Sequence, residues 1–436
     1  MLLPASLRRL DRAEAFFWFL DRFSSMNFAV IAEGSGALDK AALQRALDAA
    51  QKRHPLLSVA IEADAEARLH FVARSPQGIP LRSITTVDWR TTLAEHIVEP
   101  FALGEAPLVR ACLLTDDNSH WVIALIFHHS IGDARSAFSV LTEVLQGAAG
   151  KEVPTSPLPL APALGELYPE AFAGDPGRQL AEQLKAARKA AAERSGLPTP
   201  QAGHQPSPPP EALQPRFITL RLDADQTAAL AGNARAAQTT VNGLIGAAQL
   251  IALRTLFSDA EEKTLGLTCA ADLRPHLRET VGHSTPGFYV TLVSSIQRVG
   301  DDASLWPLAQ RLTAAIRQQM ATGFGHLFYD FMPPADQFPA NEAGIAGFSG
   351  LMARGIQTSL LSNAGRLVPL PELGGLSVSA RSFALCPTRT QPVFTAASTD
   401  ANGMTINLNY NAVQLAPEAA AAVAAAMQRL LLGAAA

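Results

Sequence analysis

A stretch that can be neither helix nor interior strand divides this chain of 436 residues near its middle. LPTPQAGHQPSPPPEALQP, residues 197 to 215, is rich in proline, lacks the backbone donors that a helix or a central strand needs, and reads as an extended surface crossover. Strand and helix signals alternate on both sides of it. Before it, MNFAVIAEGSG (26 to 36) is an apolar run closed by glycines. Leu38 to Arg53 follows with helical spacing: Asp39 is the N-cap, Ala42, Leu43, Ala46, Leu47 and Ala50 share a face, and Pro55 is the stop. LLSVAIEA and ARLHFVA read as paired strands. APLVRACLLTDDNSHWVIALIFHHS reads as two strands joined by a polar turn, followed by a helix at about 136 to 146. After the crossover come strands RFITLRL, TLGLTCA and GFYVTLVSSI and helices at Asp225 to Ala237, Val241 to Leu253 and about 304 to 320. The Pro/Gly-rich stretch 331 to 350 reads as a loop whose GIAGFSG segment is expected to be mobile. Strands TSLLSN, LSVSARSFAL, PVFTAAS and MTINLNY and a helix at about 416 to 432 complete the chain. The pattern predicts an α/β protein: a first lobe with trailing helices over 1–196, a linker at 197–215 and a second lobe over 216–436. The interface of two such lobes is a natural place for a ligand.

Composition narrows the function. Only 17% of the residues are charged and 48% are hydrophobic, so the chain has much interior or an apolar cavity to line. The net charge of −4 offers no footprint for nucleic acid. Asp11, Arg12, Asp21 and Arg22 interrupt the N-terminal apolar run, which therefore lacks the h-region of a secretory signal. Gln238, Thr239, Thr240, Asn242 and Gln249 make the longest uncharged stretch unfit to face lipid. Cys112, Cys269 and Cys386 lie far apart and fit no CxxC pattern, as expected for buried thiols in a reducing compartment. The expectation is a soluble cytoplasmic protein with no integral membrane association.

Chemistry concentrates in WVIALIFHHSIGDARS, residues 121 to 136. An apolar strand runs into His128 and His129, then a Ser-Ile-Gly turn, then Asp133 at the mouth of a helix. A strand end followed by a tight loop holds a side chain in a cleft on a rigid support, where an imidazole can accept a proton from an attacking hydroxyl or amine. Two plainer readings stand beside this one: histidines satisfied by backbone, and Asp133 as nothing more than the N-cap. A metal would need more ligands than two histidines and one aspartate. Nothing in the spacing of His276 or His283 recruits them, so no metal is expected.

HHSIGDA resembles the HHxxxDG signature of the chloramphenicol acetyltransferase-like superfamily, with Ala134 in place of the usual final glycine. The superfamily includes condensation domains, wax ester synthases and polyketide-associated acyltransferases. The opening LDRAEAFFWFLDRF segment with its HPLL turn, Ala271-Asp272-Leu273-Arg274-Pro275 and LLSNAGRL (360 to 367) are similar to further family segments, in order, over nearly the whole chain. The likeness is strongest to acyltransferases of the phthiocerol dimycocerosyl transferase type. It implies two chloramphenicol acetyltransferase-like lobes, each a mixed sheet flanked by helices, with an active-site tunnel between them.

The same resemblance implies site roles. His129 would be the general base, His128 would support the loop, and Asp133 would form a structural ion pair, assigned by position to Arg274. For the oxyanion, Ser362 and Asn363 are the first candidates, although Ser-Asn-Ala-Gly is also good turn chemistry; Thr268, Cys269 and Ser382 are weaker alternatives. The implied reaction moves an acyl group, long-chain or polyketide-derived, from a coenzyme A or phosphopantetheinyl acyl-carrier-protein thioester to a small alcohol or amine acceptor, with no bound cofactor. No GxSxG elbow, P-loop or Rossmann glycine pattern is present, which favours direct transfer over a covalent acyl-enzyme. The alternatives are a free-standing condensation domain joining carrier-bound intermediates, and a non-catalytic scaffold that binds acyl chains or a carrier. A monomer is expected, because two lobes already supply the whole site.

Overall fold

The computed structural model describes residues 6–74, 77–116, 120–195, 209–259, 261–282, 286–331, 334–354, 358–391 and 393–436. Most of the proline-rich crossover, and His283, lie outside the described residues. The first part of the chain runs β1 (Ser6–Arg9), α1 (Arg12–Phe23), β2 (Phe28–Ser35), α2 (Lys40–Arg53), β3 (Val59–Ala63), β4 (Leu69–Ala73), β5 (Leu81–Thr85), α3 (Trp89–Ile97), β6 (Val109–Thr115), β7 (His120–Phe127), α4 (Ala134–Ala148) and α5 (Gly174–Ser195). The second part runs β8 (Pro215–Leu222), α6 (Ala224–Ala236), α7 (Val241–Arg254), β9 (Lys263–Asp272), β10 (Val290–Val299), α8 (Leu305–Ala321), α9 (Phe328–Phe331), α10 (Glu342–Met352), β11 (Ser359–Arg366), β12 (Ser377–Leu385), β13 (Val393–Asp400), β14 (Gly403–Asn411) and α11 (Pro417–Ala435).

Two mixed sheets organise two lobes. The first has the order β12-β2-β7-β6-β5 and the second β10-β9-β11-β13-β14-β8; β1, β4 and β3 form a small antiparallel sheet beside the first. β7 is central and antiparallel to both neighbours, and every residue of it after His120 is buried. Such a strand, covered on both faces, reads as the continuous apolar run WVIALIF. Phe127 pairs with Phe28 on one side and Val109 on the other, so the ladders end together just before the histidines.

β12 belongs by sequence to the second half of the chain, yet it pairs antiparallel with β2 along Ser377–Leu385 and closes the first sheet. It also packs against β13 and β14, so the two lobes share a strand that no local pattern in LSVSARSFAL distinguishes from its neighbours.

α1 explains itself from its sequence. Asp11 and Glu14 form a reciprocal capping box, with Asp11 Oδ1 accepting from Glu14 N at 2.9 Å and Glu14 Oε2 accepting from Asp11 N at 3.0 Å. Its remaining residues are apolar nearly all round, which suits a helix buried on all sides.

One expectation needs correction. The GIAGFSG segment is not a mobile loop but most of helix α10. Asn341 Oδ1 caps it by accepting from Gly344 N at 3.1 Å, and the ring of the fully buried Phe348 packs 5.5 Å from that of Phe16 and 5.3 Å from that of Phe19. Each glycine costs a helix roughly 1 kcal/mol, which a buried aromatic cluster outweighs. Gly344 is required for closeness, since a Cβ there would lie 1.9 Å from the carbonyl oxygen of Pro339.

Among the described residues α11 is the one helix long and apolar enough to cross a membrane, with a mean hydropathy of 1.2. Its Ala420, Val423, Ala424, Met427 and Leu431 form a buried stripe, and the helix packs against α6 and α7. That is the pattern of a core helix with one solvated face.

Candidate active site

The end of β7 delivers the two histidines into a tight turn, His129–Ile131, directly before α4. His128 points into the first lobe. It is fully buried, its Nδ1 accepts from Ser130 N at 3.2 Å, and Ser130 Oγ in turn donates to the Glu14 carbonyl of α1 at 2.8 Å. Its Nε2 has no hydrogen-bond partner among the described residues, the Asp21 carboxylate standing 3.8 Å away. Burial, together with the charges of Arg22, His129 and Arg110, pushes its pKa down to about 3. His128 is a buried neutral support for the turn and does not line the cavity.

His129 turns the other way. Its Nδ1 lies 3.1 Å from the Gly132 carbonyl oxygen, which can only accept, so Nδ1 carries the proton and Nε2 is the basic nitrogen. The ring is wedged between those of Phe17 (4.2 Å) and Phe28 (4.7 Å), with Phe288 edge-on at 5.6 Å. Burial in this aromatic cage pushes its pKa down to about 4, although the Gly132 hydrogen bond and the Asp133 charge work in the opposite direction. The imidazole is therefore neutral near pH 7.

Asp133 performs both of the structural duties open to it. As N-cap of α4 its Oδ1 accepts from Ser136 N at 3.0 Å, and its Oδ2 accepts from Tyr289 N at 3.0 Å. Arg274 Nη2 stands 3.0 Å from Oδ2 and also donates to Ser136 Oγ at 2.8 Å. Both side chains are almost wholly buried, at 2% and 3% exposure. With its oxygens saturated by donors behind the turn, the carboxylate fastens the histidine loop to the second lobe. Asp272 completes the cluster, holding Arg274 Nη1 at 3.1 Å.

A cavity of ≈ 410 Å³ lies between the lobes. Phe16, Phe17, Leu20, Met26 and Phe28 wall it from the first lobe, and Leu292, Phe328, Leu351, Met352, Leu360 and Phe394 from the second, with Phe383 and Leu385 of the shared strand β12. His129, Ser362 and Asn363 line this same cavity. Ser362 and Asn363 sit half-exposed on β11, whose pairing with β13 is interrupted by a bulge between Asn363 and Arg366. Bulges re-aim side chains beside functional sites. Asn363 Oδ1 accepts from Gly365 N at 2.8 Å, which orients its amide.

The weaker oxyanion candidates are not among the lining residues. Thr268 Oγ1 is 3.0 Å from Ser294 Oγ, Ser382 is buried, and burial pushes the Cys269 thiol up to about 12. All three cysteines are buried. Among the described residues no group of His, Cys, Asp or Glu is placed to hold a metal. Sequence reasoning missed the aromatic cage of His129. The run FFWF on a helix apolar all round was the available signal, since such a helix has to be walled in by something.

Comparison with known proteins bears on the fold that carries these residues. The family model described as phthiocerol/phthiodiolone dimycocerosyl transferase C-terminus matches residues 211–416. The phthiocerol/phthiodiolone dimycocerosyl transferase of Mycobacterium ulcerans is 24% identical over 339 residues, covering 75% of this chain and 76% of that protein. Among solved structures, polyketide synthase associated protein 5 from Mycobacterium tuberculosis superposes with a TM-score of 0.66 at 16% identity, covering 100% of this chain and 99% of that one. The trichothecene 15-O-acetyltransferase of Fusarium sporotrichioides gives 0.74 at 14% identity, covering 99% and 98%. The matched segment is a little under half of the chain, and the solved structures share its fold. A synthetase also matches in part: the chondramide synthase of Chondromyces crocatus is 30% identical over 168 residues, 35% of this chain and 4% of that protein. The chain thus spans only a small fraction of the length of such relatives.

Proposed function

We infer that the protein is a cytoplasmic acyltransferase that moves an acyl group from a coenzyme A or carrier-protein thioester to a hydroxyl or amine by general-base catalysis. One observation carries the reading: a neutral imidazole, its Nδ1 tied to the Gly132 carbonyl and its Nε2 left basic, lines an apolar cavity together with Ser362 and Asn363. In this reading Nε2 of His129 takes the acceptor's proton as its oxygen or nitrogen attacks the thioester carbonyl carbon. The Ser362 hydroxyl and Asn363 amide donate to the oxyanion that forms. Collapse expels the sulfur, which leaves with the proton from Nε2, so the acyl group ends on the acceptor, a free thiol is released and His129 returns to neutral. The Gly132 carbonyl and the Asp133 charge support the transient imidazolium. No protein nucleophile is required, and the large apolar lining suits a long or branched acyl chain.

Purified protein incubated with a panel of acyl-coenzyme A donors and alcohol or amine acceptors should release free thiol, and His129→Ala should abolish the release. Equal rates in wild type and His129→Ala would defeat the assignment. The second reading, a free-standing condensation domain, is favoured by the synthetase relatives. Turnover with acyl-carrier protein and none with any coenzyme A donor would select it.

A further inference from the structure

A second set of side chains, outside the cavity, is ordered as nucleophile, base and carboxylate. It lies on the small sheet β1-β4-β3, and none of its three members lines the cavity of His129. Ser6 Oγ, on the edge strand β1, is 3.1 Å from Nδ1 of His70 on β4, and His70 Nε2 is 3.0 Å from Asp64 Oδ2 in the turn between β3 and β4. The turn fixes the carboxylate: Oδ1 accepts from Glu66 N at 3.0 Å and Arg68 N at 2.8 Å, and Oδ2 accepts from Arg68 Nε at 2.9 Å. Burial opposes the charge on Asp64, but the hydrogen bonds from Arg68 and His70 outweigh it and hold the carboxyl below the usual carboxylate range. An ionised carboxylate can only accept. The His70 proton therefore sits on Nε2, and Nδ1 is left to accept the Ser6 hydroxyl proton. The Asp64 side chain is fully buried and that of His70 is 6% exposed, whereas Ser6 is half-buried and open to a reagent. The pairing of β1 with β4 shifts register between Ser6 and Arg8, an irregularity of the kind that re-aims side chains.

A reachable hydroxyl, a base in hydrogen-bond contact with it and a buried carboxylate that fixes the base are the parts of an activated serine, which is recognised by geometry and roles and not by sequence position. Here the two imidazole nitrogens exchange their usual partners, which leaves the roles intact. We propose that Ser6 is a second reactive centre, a nucleophile activated by His70 and Asp64 that is acylated by activated esters or thioesters and then hydrolysed. In the first step Ser6 Oγ bonds to the carbonyl carbon while its proton passes to His70 Nδ1. The carbon's bond to the leaving oxygen or sulfur breaks, and that group departs with the proton. Water then attacks the acyl-serine, giving its proton to Nδ1 and thence to Ser6 Oγ. An ester or thioester and water thus become an acid and an alcohol or thiol. This centre needs neither His129 nor the cavity, so it stands or falls separately from the acyltransferase reading.

The full chain carrying His129→Ala, which removes the cavity's own base, is incubated with p-nitrophenyl acetate and separately with a fluorophosphonate, and peptide mass spectrometry reads the modified residue. Ser6 should be labelled at least ~10² faster than the other serines of the same chain, the lower end of what a positioned general base contributes. Nitrophenolate should appear in a stoichiometric burst followed by slower turnover. Ser6→Ala should abolish both the label and the burst, and His70→Gln, which keeps a polar side chain but no base, should slow labelling of Ser6 by a similar ~10². Melting curves followed by circular dichroism show which variants are folded. Should His70→Gln fail to fold, the comparison of Ser6 with the other serines in the folded chain decides the question alone. Ser6 labelled no faster than the other serines, or as fast in folded His70→Gln as without it, would overturn the proposal and leave the three side chains as a brace for the sheet.

Discussion

Asp133→Ala should act through folding. The carboxylate receives Ser136 N and Tyr289 N at 3.0 Å each and Arg274 Nη2 at 3.0 Å, with both charged side chains almost fully buried. Deleting it strands a buried guanidinium that keeps only Asp272 and Ser136 Oγ as partners, and it orphans two backbone donors. Breaking a buried ion pair by removing one member costs about 3–5 kcal/mol, a large share of the roughly 5–15 kcal/mol that holds a domain folded. Arg274→Met should cost less, nearer ~3 kcal/mol, because Asp133 keeps its two backbone N–H donors. The double variant should be more stable than Asp133→Ala alone, since no unpaired charge then remains in the interior. Urea unfolding at neutral pH, followed by circular dichroism and tryptophan fluorescence, measures all three. If Asp133→Ala lost less than about 1 kcal/mol yet abolished turnover, the carboxylate would belong to the chemistry and the structural account of it would fall.

Other perturbations test the rest of the site. Because burial holds His129 at about 4, kcat/KM should stay flat from pH 8 down to roughly pH 5 and fall only below that; a break near the ordinary histidine value of ~6.5 would contradict the cage. The same burial has a stability consequence: with folded-state values of about 3 and about 4 against ~6.5 unfolded, His128 and His129 contribute fully above pH 6.5. That contribution is lost as pH falls from there through 4 towards 3, which acid-denaturation curves of single alanine variants would show. Ser362→Ala and Asn363→Ala should each lower kcat by ~10²–10³ with little change in melting temperature if they serve the oxyanion, and steady-state kinetics that moved only KM would exclude that role. Leu351→Trp, which adds bulk at the cavity wall, should cost long-chain donors about tenfold or more in kcat/KM and spare short ones; an unchanged chain-length profile would place the acyl chain elsewhere.

What the sequence disclosed depended on how local the cause was. The strand ending in His128 and His129 and the cap at Asp133 were legible because an unbroken apolar run, a turn and an N-cap are events within a dozen residues. The meeting of Asp133 with Arg274 was reachable only through family resemblance, since 141 positions separate them and no periodicity links them. α10 was misread because glycine content is a local cost, while the packing of Phe348 against Phe16 and Phe19 that outweighs it is tertiary. The cage around His129 escaped for the same reason: Phe17, Phe28 and Phe288 come from α1, β2 and the loop before β10.

The division of the site between lobes makes its precision a matter of how the lobes are fastened. His129 is carried by the first lobe and Ser362 and Asn363 by a strand of the second, and in the proposed reaction a general base and an oxyanion donor displaced by an ångström would lose much of their effect. Four contacts oppose that displacement. β12 is covalently continuous with the second lobe yet hydrogen-bonded along β2 in the first. Arg274 and Asp133 join the lobes through a buried charge pair, and Ser136 Oγ donates to the Gly287 carbonyl at 2.8 Å a few residues away. Asp133 N also donates to Gly287 O at 3.2 Å. All four sit within one turn of the histidine loop or on the wall of the cavity. The clamp therefore acts where misplacement would be most costly, and the rest of the interface can remain an apolar cavity without loosening the site.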